Sequence, residues 1–177
     1  GQRFGCNGVL TNSVNPGEGL SQIMSTMGAA PYRVGGKIYI KPAMYAGPAT
    51  VTVAVNEAME MPSYRPHRPL RELTNLVRPE YVAPRKKWQL TSAPIVKSQA
   101  YIDKDGSVLE STIRLKLVTK DHQAQRLAKL KLERNRAGFQ SSYPLPGLRL
   151  DIVPGNNIIF VDVQTGINKE FLVEDAK

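Results

Sequence analysis

The residue types able to do covalent or metal chemistry are few in this sequence, and their spacing serves little of it. There is one cysteine, Cys6, and two histidines, His67 and His122. An internal disulfide needs a second thiol and a structural zinc site needs four soft ligands, so neither framework can be built from these residues alone. Nucleophilic catalysis needs a Ser or Cys within reach of a His and a carboxylate, yet no nucleophile elbow surrounds a serine and neither His stands in a catalytic signature. Cys6, between Gly5 and Asn7 in an apparent strand, reads as a buried, inert thiol. Gly35-Gly36-Lys37 lacks the leading glycine and trailing Ser/Thr of a phosphate loop, and no dinucleotide fingerprint follows a strand. Glu57, Glu60, Glu72, Glu80, Asp103 and Asp105 are the residue type of a glycosidase acid and base, but nothing in their spacing brings two together. Asp103 and Asp105, next to Gly106, read as turn residues that bond their own backbone. The expectation is a protein without catalytic residues, metal or cofactor.

What remains is charge. The 24 Lys and Arg residues exceed the 15 Asp and Glu by nine, which favours acidic partners through long-range attraction. The cations fall in clusters: Arg65, Arg68 and Arg71; Arg78, Arg85, Lys86 and Lys87; Arg126, Lys129, Lys131, Arg134 and Arg136. Interleaved with Tyr64, Tyr81 and Trp88, the first two clusters have the residue types that grip phosphates and stack bases. Basic residues on a helix more often form a solvated face, and no recognised nucleic-acid module encloses them. The candidate interaction surface is therefore Arg65, Arg68, Arg71, Arg85, Lys86 and Lys87 together with exposed strand edges, and a nucleic-acid-binding module is the alternative reading.

The elements that would position these residues follow from punctuation and period. Asn15-Pro16-Gly17-Glu18 gives an N-cap, a proline at the first helical position and an acid in the first turn; Leu20, Ile23, Met24 and Met27 continue at helical spacing toward Gly28. The runs 31–34 and 37–40 flank Gly35-Gly36 as a hairpin, and the β-branched run 50–55 is a further strand. Residues 62–84 carry five prolines and read as extended chain with a short strand near Leu73 to Val77. Tyr101-Ile102 and 108–117 read as strands around an Asp-Gly turn. A second helix starts after Thr119 and ends near Gly138, with Ala124, Leu127, Ala128, Leu130 and Leu132 on its apolar arc and Arg126, Lys129, Glu133 and Arg136 opposite. The remainder has the punctuation of a small antiparallel barrel or meander. The fold class expected is α+β, strand-dominated, with two amphipathic helices, divided into 1–62 and 63–177. No apolar run approaches the roughly 20 residues that cross a bilayer. A start at Gly1, followed at once by the strand-like run from Arg3 to Leu10, reads as a segment of a longer chain.

Several strings resemble one family. The stretch from Tyr32 to Ile40, the string Arg71-Glu72-Leu73-Thr74-Asn75, Trp88-Gln89 followed by Ala93-Pro94, and above all Ala124-Gln125-Arg126-Leu127-Ala128-Lys129-Leu130 with Leu132-Glu133-Arg134 resemble the central tail-tip, or host-specificity, protein of lambda-like siphophages. The likeness runs from about Val9 to Val173. It implies a hub region similar to contractile-phage baseplate hubs, a trimeric ring of identical copies in the virion tail, contacts with other tail and baseplate proteins, and only an indirect relation to the host receptor. Arg78-Pro79-Glu80-Tyr81 and Asn156 depart from the family pattern, at positions expected to be turns or edges.

Overall fold

The computed structural model of the chain describes residues 4–11, 14–34, 37–42, 47–65, 67–146, 149 and 151–174. Helix α1 (Pro16–Ser25) begins as its sequence dictates: the Asn15 side chain accepts a hydrogen bond from the Gly17 N–H at 3.1 Å, and Pro16 sits where a missing N–H costs nothing. Met24 from its apolar side is fully buried, and the chain turns away at Gly28, φ 64°. Strands β1 (Ala30–Val34) and β2 (Lys37–Lys41) pair as a two-stranded sheet; the turn assigned to Gly35-Gly36 lies outside the described residues. There follow β3 (Val51–Ala54), β4 (Ser63–Arg65), β5 (Leu76–Ala83), β6 (Gln89–Ser92), β7 (Val96–Lys97), α2 (Gln99–Asp105), β8 (Glu110–Leu115), α3 (Asp121–Arg136), β9 (Gln140–Ser142), β10 (Asn157–Asp162) and β11 (Ile167–Leu172).

The elements gather into two compact units, each made of two stretches: Gly1–Ala30 with His67–Gly138, and Pro31–Pro66 with Phe139–Lys177. Where the sequence suggests one boundary at 62/63, the chain passes into the first unit at His67 and returns to the second after Gly138.

In the first unit β5 is the central strand. It pairs in parallel with β8 on one side and antiparallel with β6 and β7 on the other. Val77, Pro79 and Ala83 are buried on one face of β5, where Ile113 and Leu115 of β8 also point, and α3 covers that face with Ala124, Leu127, Ala128 and Leu132. A proline in a central strand forfeits a ladder hydrogen bond. Here the loss falls in a gap: the N–H and C=O of a strand residue point to the same side, and the Pro79 carbonyl faces the Ala93 N–H, which donates to it at 2.8 Å, between the stretches paired by β6 and β7. The strand expected only near Leu73 to Val77 is therefore longer and later, and the Arg78-Pro79-Glu80-Tyr81 departure lies inside it.

Other expectations change as well. Tyr101-Ile102, expected as a strand, lies in helix α2, and Gly106, φ 70°, ends that helix in the left-handed conformation instead of forming a hairpin turn. Among the described residues there are thus three α-helices rather than the two expected. Phe4 to Leu10 is extended chain without a strand partner ladder, and Cys6 is exposed, not buried.

In the second unit β10 is central, antiparallel to β11 and parallel to β3, while β4 and β9 form a separate antiparallel pair. Val53, Ile158 and Phe160 make its core, ringed by Tyr64, Tyr143 and Phe171. The class is the strand-rich α+β fold that the sequence suggests, with small sheets in place of a closed barrel among the described residues.

Candidate interaction surface

The first unit is organised by a polar clasp at the ends of α2 and α3. Arg136 grips the Asp105 carboxylate through both terminal nitrogens, the Nη1–Oδ1 arm at 3.0 Å, and its Nε donates to the Thr74 carbonyl at 2.9 Å. Its guanidinium lies 4.7 Å from the centre of the Tyr101 ring. Asn75, fully buried, donates to Asp105 Oδ2 at 2.9 Å and to the Ser107 carbonyl at 2.8 Å, and its Oδ1 accepts from the Leu109 N–H at 2.7 Å. Asn135 accepts from the Thr74 N–H and donates to the Glu72 carbonyl. The Arg136 pair is the main reason that the Asp105 carboxyl is held below the usual carboxylate range. Asp105 is thus a buried ion-pair partner rather than a turn residue, and Arg136 faces inward rather than toward solvent. Asp103, on α2, accepts from the Gln99 side chain at 2.8 Å.

A second anchor is Gln123, buried beside the apolar arc of α3. Its Oε1 accepts from the Gly5 N–H at 3.1 Å, and its Nε2 donates to the carbonyls of Gly5 at 2.8 Å and Thr26 at 2.9 Å. Nothing in the sequence marked Asn75 or Gln123 as a fixing residue. The only available signal was a polar side chain abutting an apolar run.

The six cations singled out from the sequence do not form one cluster. Arg65 is exposed on β4 in the second unit, and the other five belong to the first. Arg68 is half-buried, its Nε without a hydrogen-bond partner among the described residues, and Arg71 is exposed in a 3-10 turn before β5. Arg85, Lys86 and Lys87 are exposed in a 3-10 turn after β5. The eight residues of β5 put roughly 26 Å of extended chain between these two groups.

Charge is divided sharply between the units. The first holds 17 Lys and Arg against 8 Asp and Glu, while the second holds 7 of each, so the whole excess of nine lies in the first. Part of it is neutralised on the sheet face opposite α3, where Arg78 bonds Glu110 at 2.6 Å and Arg114 bonds Glu80 at 3.0 Å. These pairs are too solvated to contribute more than modestly to stability. A basic groove remains between β7 and α3, lined by Lys97, His122, Arg126 and Lys129 with Ile95 and Val96.

In the second unit Arg149 bonds both Glu57, at 2.8 Å, and Asp151, at 2.7 Å, and is held further above its ordinary value by the two carboxylates. Two carboxylates meet here, with a guanidinium between them. Asp162, almost fully buried, accepts from the Tyr64 hydroxyl at 2.9 Å, the Thr165 hydroxyl at 2.6 Å and the Gln164 N–H at 2.9 Å. This fixes the β10–β11 turn and leaves that carboxylate below its ordinary range. Among the described residues no group of three His, Cys, Asp or Glu side chains could hold a metal, and no helix is long and apolar enough to cross a membrane.

Open strand edges complete the surface. Among the described residues β6 and β8 each pair only with β5, β11 only with β10 and β3 only with β10, and Ile38, Tyr39 and Ile40 are 54, 44 and 50% exposed on β2.

The described residues thus form two strand-rich units with unpaired strand edges, and the first of them carries the excess positive charge. Residues 16–174 match the family described as putative phage tail protein, and the chain belongs to that family. Among solved structures it is similar to the tail protein from Neisseria meningitidis MC58, at a TM-score of 0.61 and 16% identity, covering 92% of this chain and 49% of that one. It is also similar to the 43 kDa tail protein of prophage MuSo2 from Shewanella oneidensis, at a TM-score of 0.56 and 14% identity, covering 92% of this chain and 50% of that one. The chain spans about half the length of these tail proteins, and at such identities the likeness is one of fold. No curated protein matches the sequence. By that family the chain is a phage tail protein, a component of the virion tail.

Proposed function

We propose that this chain is part of the hub at the distal end of the tail, the tail tip or baseplate hub, and that it works by assembly and not by catalysis. It closes around the tail axis with identical copies, as a trimer in the intact protein, and meets other tail and baseplate proteins. Host attachment and DNA delivery are supported through those neighbours. It is made in the bacterial cytoplasm and built into the virion tail. The observation that carries the reading is the family match across residues 16–174. The open edges of β6, β8, β3 and β11 are suited to the heterologous contacts that a closed ring requires. The exposed Arg71, Arg85, Lys86 and Lys87 and the half-buried Arg68 of the first unit, and separately the exposed Arg65 of the second, supply further candidates for such contacts. Sedimentation over a range of concentrations tests it: the reading expects a trimer, and a chain that stays monomeric at high micromolar concentration, in this segment and in the intact protein, overturns ring formation.

A second reading, nucleic-acid binding, is favoured by one observation: all the excess charge lies in the unit that carries the groove of Lys97, His122, Arg126 and Lys129. Fluorescence anisotropy with single- and double-stranded DNA separates the two. The hub reading expects binding that vanishes at physiological salt, whereas micromolar affinity surviving there favours the second.

A further inference from the structure

The outward face of the first unit's sheet, opposite α3, carries two different surfaces. One is the neutralised ladder of Arg78, Glu110, Glu80 and Arg114. The other is an open concavity whose lining includes Val9, Val82, Trp88 and Lys116 and no carboxylate. Val9 is 87% exposed and Trp88 62%, and Leu90, directly across the β5–β6 ladder from Val82, is 45% exposed. Large apolar side chains left bare together are what a partner covers.

The backbone is arranged to present them. Lys87 and Trp88 have φ of 54° and 60°, the left-handed region that residues with bulky side chains rarely adopt. The corner is closed by the Trp88 N–H donating to the Ala83 carbonyl at 3.2 Å. Val9 is brought alongside because Gly8 lies so close to Leu117 that a Cβ there would come within 2.3 Å of the Leu117 Cδ2. The Asn7 N–H donates to the Leu117 carbonyl at 2.9 Å and fixes the same approach. The charge in the lining is Lys116, and Arg85, Lys86 and Lys87, just before Trp88 in the chain, are all exposed, while Glu80, two residues before Val82 on the same face, is already paired with Arg114.

We propose that this concavity docks an acidic segment of a neighbouring protein chain, an apolar side chain of that segment seated against Trp88, Val9 and Val82 while its carboxylates meet Lys86, Lys87 and Lys116. Charge complementarity selects the acid, and the bare aliphatic floor selects protein over nucleic acid, because bases stack on aromatic faces and have no use for an exposed valine beside them. The inference rests on the reading of the chain as an assembly component and names one contact that such a component makes.

Trp88 is the only tryptophan of the sequence, so its emission reports on this place alone. The experiment titrates the full chain with a short tryptophan-free peptide alternating glutamate with leucine and phenylalanine. The expected result is a saturable blue shift, with affinity lowered roughly tenfold or more by Val9→Asp and, separately, by Lys86→Glu with Lys87→Glu. A peptide of glutamate and glycine should bind at least about tenfold more weakly than the apolar one. Three outcomes overturn the docking: no saturable shift, equal binding of the peptide lacking apolar residues, or tighter binding of an oligothymidylate of equal charge. Sedimentation of the same samples without peptide keeps the two readings apart. A chain that forms rings yet ignores the peptide overturns the docking alone, and preference for the oligothymidylate at physiological salt overturns the assembly reading with it.

Discussion

Arg136 and Asp105 form a two-armed ion pair that joins the last turn of α3 to the last turn of α2, with only 9% and 4% of the two side chains exposed. Charges so far from water are tolerated because each is also hydrogen-bonded elsewhere, Arg136 to Thr74 and Asp105 to Asn75. Arg136→Ala should lower the melting temperature by several degrees, since it leaves the Asp105 carboxylate without its cation. The double variant Asp105→Leu/Arg136→Met should recover much of that loss, because it removes both charges together. Thermal unfolding of the single and double variants checks the order.

The same pair sets a pH dependence. Asp105 is held below the ordinary carboxylate range chiefly by Arg136, Glu110 chiefly by Arg78, and Asp162 chiefly by the Thr165 hydroxyl. A lowered folded value means that the unfolded chain binds more protons on the acid side. The stabilisation is therefore present above the unfolded value, about pH 4, and is lost as pH falls through the lower folded values. Urea midpoints measured on acidification should fall steeply below about pH 4, and Asp105→Asn should be less stable at neutral pH yet show a shallower acid limb.

Gln123 ties three backbone groups of the first unit to α3, two on Gly5 and one on Thr26. Gln123→Ala should cost about 1–3 kcal/mol, the penalty of leaving buried polar groups unpaired. Gln123→Leu, which restores volume but no hydrogen bond, should not rescue it. Hydrogen exchange at the Gly5 amide should accelerate in both variants, while amides in the middle of β5 should change less.

Legibility followed locality. Helix α1 and most of α3 were readable because cap, period and breaker all lie within a few residues of one another. Asp105-Gly106 misled because a left-handed glycine serves a hairpin turn and a helix end equally, and what decides between them here is Arg136, about thirty residues away. Pro79 argued against a central strand, and only the gap between β6 and β7 makes one possible. Cys6 looked like core because its neighbours suggest a strand, but the segment is held by a few hydrogen bonds to Gln123, Leu117 and Thr119, with its thiol left outside. The basic residues were visible as a list, yet their split around β5 and between the two units depends on a chain path that leaves and re-enters the second unit.

Gly106 offers a clean measure of the left-handed helix end. A Cβ added there would meet nothing within 4 Å, so the cost of Gly106→Ala should be backbone strain alone, about 1–2 kcal/mol. Gly155→Ala should cost more, because it combines φ of 84° with a Cβ that would come within 2.7 Å of the Lys41 side chain. Chemical denaturation of the two variants compares strain alone with strain and crowding together.

Phe160 tests what holds the second unit. It is fully buried, pairs across the parallel ladder with Val53, and lies against Tyr143 at 4.0 Å between ring centres and Phe171 at 6.3 Å. Phe160→Ala should cost about 3–5 kcal/mol, the range for emptying a buried aromatic site. Tyr64→Phe removes only the hydroxyl bonded to Asp162, which keeps its bonds from Gln164 and Thr165, so the expected cost is about 1 kcal/mol. Urea unfolding of the two variants gives the comparison. If Tyr64→Phe proved the costlier change, the unit would be held by the hydrogen-bonded turn at Asp162 rather than by its aromatic core.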